Sequence, residues 1–502
     1  MKNLLNISLF TLIFTVSACS DFLEKEPSYS LNEENALTSF SKAEAALGGI
    51  YANFSGASAG GDWSGGLYVA LASKSGFVNW SSGDYEMEYN QLNNTETGKA
   101  FWTTFYKTLN AANFAINGAI NLPENAVPSE AEREALIAEG KCLRAWVNIN
   151  LLWNYGHWWS DDDTNPYGLL YRDEVTNLSN VEKARISIGE SYTKIFEDLD
   201  YAIAKLGTFE SPRYVSKEFA KVLKAKILLY RGGYNNTTSD LNEALSLVND
   251  VLESSPAGFA MQEDLAQVYE DSWDSPENLF VRYLDDDGRR TTNAGYWYPY
   301  GLAQIIGDRL PLGPGESLTA GLEYGIDWFK ADPRWDIVTG PVRGAETWDN
   351  TMYYTWPKLA RLGRYAGQQS NPPDEKYAAY YFRYPELYIM KSELLARTGA
   401  SISDAIAPIN LMRSIRTNPS LPSLNPSNEQ ELMDLIFQEY FLETFLENGS
   451  EFFASLRFMK AGKPWIESIK GGKPLEENKI CYPIPNEEMI NNRLMTQNPD
   501  LE

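Results

Sequence analysis

The sequence predicts a mainly α-helical protein, a stack of helix pairs interrupted by two long loop-rich insertions. Three observations lead there. Apolar residues recur at spacings of three and four along most of the chain. Strand character is confined to 278–283. Glycine, proline and tryptophan gather in two blocks, about 58–98 and 256–376, where helical periodicity is lost.

Taken in order, the chain opens with Lys2, an apolar run over 4–16, and then Val16, Ser17, Ala18 and Cys19. This is the pattern of a signal peptide over 1–18 that ends in a lipobox. The run is too short to span a bilayer. Cys19 is therefore expected to carry lipid, and at ~0.8 kcal/mol per buried CH₂ a diacylglycerol plus an N-acyl chain would anchor the protein permanently. The alternative is an ordinary secretory signal whose cysteine stays free or pairs. Residues 19–38, with Asp21, Glu24, Glu26 and Pro27, read as an acidic tether, and 39–502 as one domain.

The helical scaffold is expected over about 39–57, 99–255 and 377–460. A first helix covers 40–54. The first insertion carries Gly60, Gly61, Gly65, Gly66, Gly76 and Gly83 with Trp63, Tyr68, Phe77 and Trp80; long aromatic-bearing loops more often bind than fold. Helices return over 99–120 and after Pro128, where Ser129 can cap with Glu132 three residues on. There Leu136, Gly140, Leu143, Val147 and Leu151 form one stripe that ends at Tyr155 and Gly156. Further helices are predicted over 190–206, 217–230, 242–252, 385–396, 403–415 and 429–446. In the last, Glu439 falls on the apolar stripe and needs a partner, for which Arg416 and Arg457 are the candidates. The second insertion holds six tryptophans between 269 and 356, and Trp328 and Trp335 beside Phe329 read as structural, as do Trp146 and Trp153 within a helix.

Composition restricts partners. With 43 basic and 68 acidic residues the charge is −25, or −26 once Lys2 leaves with the signal, so nucleic acid and anionic headgroups are poor partners. Beyond Cys19 the only thiols are Cys142 and Cys481. Two buried free thiols are expected, since Cys142 lies in an apolar helical stretch.

Several blocks, in this order, resemble the SusD/RagB family of outer-membrane lipoproteins from glycan-using Bacteroidetes: CSDFLEKEP (19–27), GKCLRAWVNINLLWNYG (140–156), AKVLKAKILLYRGGY (220–234), RYPELYIMKSELLARTGA (383–400), APINLMRSIR (407–416), FQEYFLETFLENGSEFFASLRF (437–458) and YPIPNEEMINNRLMTQNP (482–499). Two departures stand out. Tyr440 follows Glu439 where the family commonly has arginine, and the chain ends Asp500, Leu501, Glu502 in place of a glycine and an aromatic. The resemblance implies a scaffold of four tetratricopeptide-like helix pairs and a surface-exposed, outer-membrane, lipid-anchored protein. It also implies a partner, a SusC-like TonB-dependent transporter that the protein caps and to which it delivers polysaccharide or oligosaccharide without catalysis.

Sugar recognition needs flat rings against pyranose C–H faces and amides or carboxylates for the hydroxyls. Trp80 with Asn79 in the first insertion, and Tyr296 and Trp297 in the second, are the expected ligand-binding residues, with Trp273 a further one. The acidic balance favours a neutral glycan such as a β-glucan, against which stand Arg289, Arg290, Arg309 and Arg343 in the second insertion. A peptide ligand is the other binding reading. For catalysis, His157 is the sole histidine and reads as a polar loop residue, so histidine-based triads and His/Cys metal cages lack members. A carboxylate-pair glycoside hydrolase is open by composition, but no pair is singled out. No catalytic residue and no metal ligand is assigned. Structural calcium, at 161–163 or 285–287, is the one cofactor left open, against a solvated acidic loop.

Overall fold

The computed structural model describes residues 37–55, 65–76, 96–281, 327–338, 340–341, 354–355 and 379–501. The signal peptide, Cys19 and most of the tether lie outside these residues, as do 285–287.

Helix α1 (Phe40–Ser55) is followed by α2 (Gly65–Ser75), which lies inside the stretch expected to be loop. Its glycine start hides the signal, yet Leu67, Tyr68, Leu71 and Ala72 are buried, so burial decides where propensity does not. Tyr68 belongs to the core and not to an aromatic loop surface. The pair α3 (Glu96–Asn121) and α4 (Glu130–Tyr155) packs closely: a Cβ on Gly140 would stand 2.7 Å from Ile116 Cγ1. Ser129 caps α4 by accepting the Glu132 N–H.

Helix α5 (Ile188–Lys205) starts with a complete capping box of Ser187 and Glu190. It is held to α4 by a buried fork, Arg144 Nε and Nη2 donating to Asp198 at 2.7 and 2.8 Å. Next come α6 (Lys217–Asn235), capped by Ser216 and ended by left-handed Asn236, and α7 (Thr238–Ser254). The short α8 (Leu265–Asp271) precedes β1 (Asn278–Val281).

Within the second insertion stand α9 (Asp327–Ala331), α10 (Trp335–Val338) and a two-residue ladder of β2 (Gly340–Pro341) with β3 (Tyr354–Thr355). The scaffold resumes with β4 (Tyr380–Arg383), α11 (Tyr384–Arg397), α12 (Ile402–Ile415), α13 (Glu429–Thr444) and α14 (Ser450–Arg457). β4 is the antiparallel partner of β1, an element that 380–383 did not signal because all four of its residues are buried and show no alternation.

Successive pairs α3–α4, α6–α7, α11–α12 and α13–α14 stack with α5 between α4 and α6, and α7 lies directly on α11 although the second insertion separates them in sequence. The expected mainly α, helix-pair scaffold is the observed one. Ring contacts fill its centre: Trp146 meets Tyr381 at 4.6 Å and Phe280 at 5.2 Å, and Phe453 meets Tyr230 at 4.5 Å.

Candidate functional site

Asn79, Trp80, Tyr296 and Trp297 lie outside the described residues. Trp273 sits in a 3-10 turn (Ser272–Asp274) and is 5% exposed, so its ring packs inward and offers no open face. Trp146 and Trp153 are core, as expected. Around Phe329 the expectation also holds, with Trp335 edge-on at 4.7 Å and Phe441 of α13 at 4.9 Å.

Two readings need correction. Glu439 does not pair with Arg416 or Arg457. Its partners are Arg334, with Nη1 at 2.9 Å and Nη2 at 3.1 Å, and Arg413. Arg416 goes to Glu277 and Glu443, and Arg457 forks onto Glu393 of α11 through Nε and Nη2, each at 2.8 Å. The reason is tertiary: Arg334 is over 100 positions away in sequence, and nothing local announces it. At the departure noted above, Tyr440 is buried with the Arg457 guanidinium 5.1 Å over its ring.

His157 lies in the loop after α4, as expected, but it is buried and not a solvent-facing polar residue. It is 5% exposed, stacked on Trp159 at 4.7 Å and beside Tyr167 at 4.8 Å. Burial first, and then the Arg185 charge, push its pKa down to about 4, so the imidazole is neutral at physiological pH. Cys142 and Cys481 are both buried free thiols, and burial raises both pKa values, that of Cys481 to about 11 against the opposing charges of Lys74 and Arg185. A nucleophile–base couple is not assembled from these residues.

In the acidic loop, Asp162 Oδ1 accepts from the Thr164 N–H at 2.8 Å and its hydroxyl at 2.7 Å, an Asx turn facing solvent. No group of three or more His, Cys, Asp or Glu residues among those described is arranged to hold a metal.

A small cavity of about 30 Å³ lies where α2, α4, α6, β4 and α14 meet. Trp146, Trp153, Tyr68 and Phe453 wall it, with Asn150, Asn154 and Lys226 among them. The Lys226 ammonium is neutralised by Glu386 at 2.7 Å. Each of these walls is at most 9% exposed, so a polymer does not reach it. The sequence offered no hint of this cavity, because its amides are spread over one helix face among core residues.

Residues 322–500 match the SusD family model, SusD_RagB. The chain is also 25% identical to SusD-like protein P2 of Formosa agariphila, over 98% of this chain and 99% of that one. Over residues 322–500 the chain is similar to the SusD family. Its fold is that of a SusD superfamily protein from Bacteroides thetaiotaomicron, with a TM-score of 0.69 at 18% identity, 92% of this chain and 100% of that one being covered. A laminarin-binding SusD-like protein has the same fold at TM-score 0.64 and 18% identity, with the same shares covered. The family match takes in Arg334, the helix α13 that it meets, and α11, α12 and α14. Among the described residues no helix is long and apolar enough to cross a membrane.

Proposed function

We propose that this chain is a SusD-like, cell-surface glycan-binding lipoprotein, anchored through Cys19, that takes up a neutral polysaccharide or oligosaccharide such as a β-glucan and passes it to a SusC-like TonB-dependent transporter. The observation that carries the reading is the likeness to a SusD-like protein over 98% of this chain and 99% of that one. The laminarin-binding relative of the same fold supports a β-glucan. A binding role without catalysis agrees with the buried neutral His157 and the two buried thiols.

On this reading the rings of Trp80, Tyr296 and Trp297 stack on the sugar and Asn79 bonds its hydroxyls. Affinity gels containing laminarin, a uronate polymer or no polysaccharide, with a peptide ligand tested by calorimetry, check it. Laminarin is expected to retard the protein, and Trp80→Ala and Trp297→Ala are each expected to weaken binding about tenfold while the circular dichroism spectrum is kept. Unchanged affinity in both variants removes this site, retention of the peptide alone moves the chain to the peptide-binding reading, and steady release of reducing ends from laminarin overturns the absence of catalysis.

A further inference from the structure

The second insertion leaves the scaffold at Val281 and returns at Tyr380, and the two residues are opposite one another in the β1–β4 ladder. Beside that ladder lies a buried ionic cluster. On the side of the roots, Glu277, the residue before β1, accepts from Arg383 Nη1 at 2.7 Å and from both Arg416 terminal nitrogens. Arg383, the last residue of β4, also forks onto Glu447 with two bonds of 2.8 Å.

The other half of the cluster comes from inside the insertion. Arg334, with no exposed surface, clasps Asp332 through Nε at 2.8 Å and Nη2 at 3.0 Å. The same guanidinium reaches α13, meeting Glu439 as described and Glu443 through Nη1 at 2.9 Å. Glu443 is shared: Arg416 Nη2 stands 3.3 Å from it and Arg383 Nη2 3.8 Å. The roots and the middle of the insertion thus meet at one carboxylate.

We infer that Arg334 is a positioning residue, which docks residues 327–338 on α13 in a single register and on which ligand capture by the insertion therefore depends. The capture half rests on the function proposed above; the docking half rests on geometry alone. Aromatic contact between Phe329 and Phe441 supplies apolar area but tolerates sliding, because hydrophobic contact is non-directional. A planar guanidinium with five N–H donors meeting three carboxylates has one arrangement. Lysine, a point charge, does not reproduce it.

The test uses hydrogen–deuterium exchange and laminarin affinity on the full mature protein. Arg334→Met is expected to raise exchange over 327–338 at least tenfold while peptides of α4 and α6 are unchanged, and to weaken laminarin binding about tenfold. Arg334→Met with Glu439→Gln removes one charge of each sign, so it keeps the net charge of the cluster; exchange over 327–338 is expected to stay fast. Should the first variant fail to fold, Arg334→Lys is read in its place, with intermediate exchange expected. Unchanged exchange in the variant read, or recovered protection in the double variant, overturns the docking role. Faster exchange with unchanged affinity overturns the dependence of capture. If the wild type binds no laminarin, the capture half falls with the glycan reading, and the exchange data still decide the docking.

Discussion

At the scale of single residues, burial sets the chemistry. The neutral form of His157 is favoured in the folded chain, whose pKa of about 4 lies below that of an unfolded histidine. As pH falls from about 6.5 the unfolded state takes up a proton that the native state refuses, so stability declines until pH reaches about 4. Urea midpoints measured from pH 7 to pH 4 should therefore fall, and His157→Phe should flatten that slope. Glu443 has the opposite sense. Burial alone would raise its pKa, but Arg416, Arg334 and Arg383 outweigh it and hold it at about 2. Its contribution is present above the ordinary carboxylate range and is lost as pH falls from about 4.5 to about 2. Both thiols are expected to resist Ellman's reagent in the native protein at pH 8 and to react in guanidinium, with protected Cys142 and Cys481 as the measured sites. Gly168 belongs to this scale too: a Cβ there would stand 2.4 Å from the Ile186 carbonyl oxygen and 2.5 Å from that of Ser187. Backbone cannot yield as a side-chain tip does, so Gly168→Ala should lower stability by about 2 kcal/mol or more, read by thermal melting.

At the scale of elements, the helices were legible because periodicity and caps are local. Ser129 with Glu132 announces the start of α4, and the observed N-cap is that serine. The bounds of α7 were placed too narrowly, at 242–252, because the turn around Thr237 is polar and its first helical residues carry no apolar stripe. What joins helices was not legible. The Arg144–Asp198 fork between α4 and α5 is closed by residues 54 positions apart, both buried. Asp198→Ala should cost about 3 kcal/mol, since it leaves a guanidinium buried without its counter-charge, whereas Arg144→Met with Asp198→Leu should cost much less. A double-mutant cycle in urea measures the difference.

For the whole molecule, the contact of α7 with α11 is what turns residues 256–376 into an insertion on a continuous scaffold. The ladder of β1 and β4 closes the base of that insertion, and the Arg334 cluster fastens its described middle to α13. Of the candidate site, the sequence supplied residue types and blocks, and the family likeness supplied their setting. Asn79, Trp80, Tyr296 and Trp297 lie outside the described residues, while Trp273 is turned inward by the packing of its 3-10 turn.

The sequence by itself determined the helix-pair class, the caps, the free thiols and the structural role of the rings around Phe329, because each depends on neighbours within a few turns or on composition. Tertiary structure alone decided the helical state of 65–75, the enclosure of His157 and the partner of Glu439. Those outcomes depend on which distant side chain is brought alongside and on how completely water is removed, and neither quantity is written in the spacing of a linear chain.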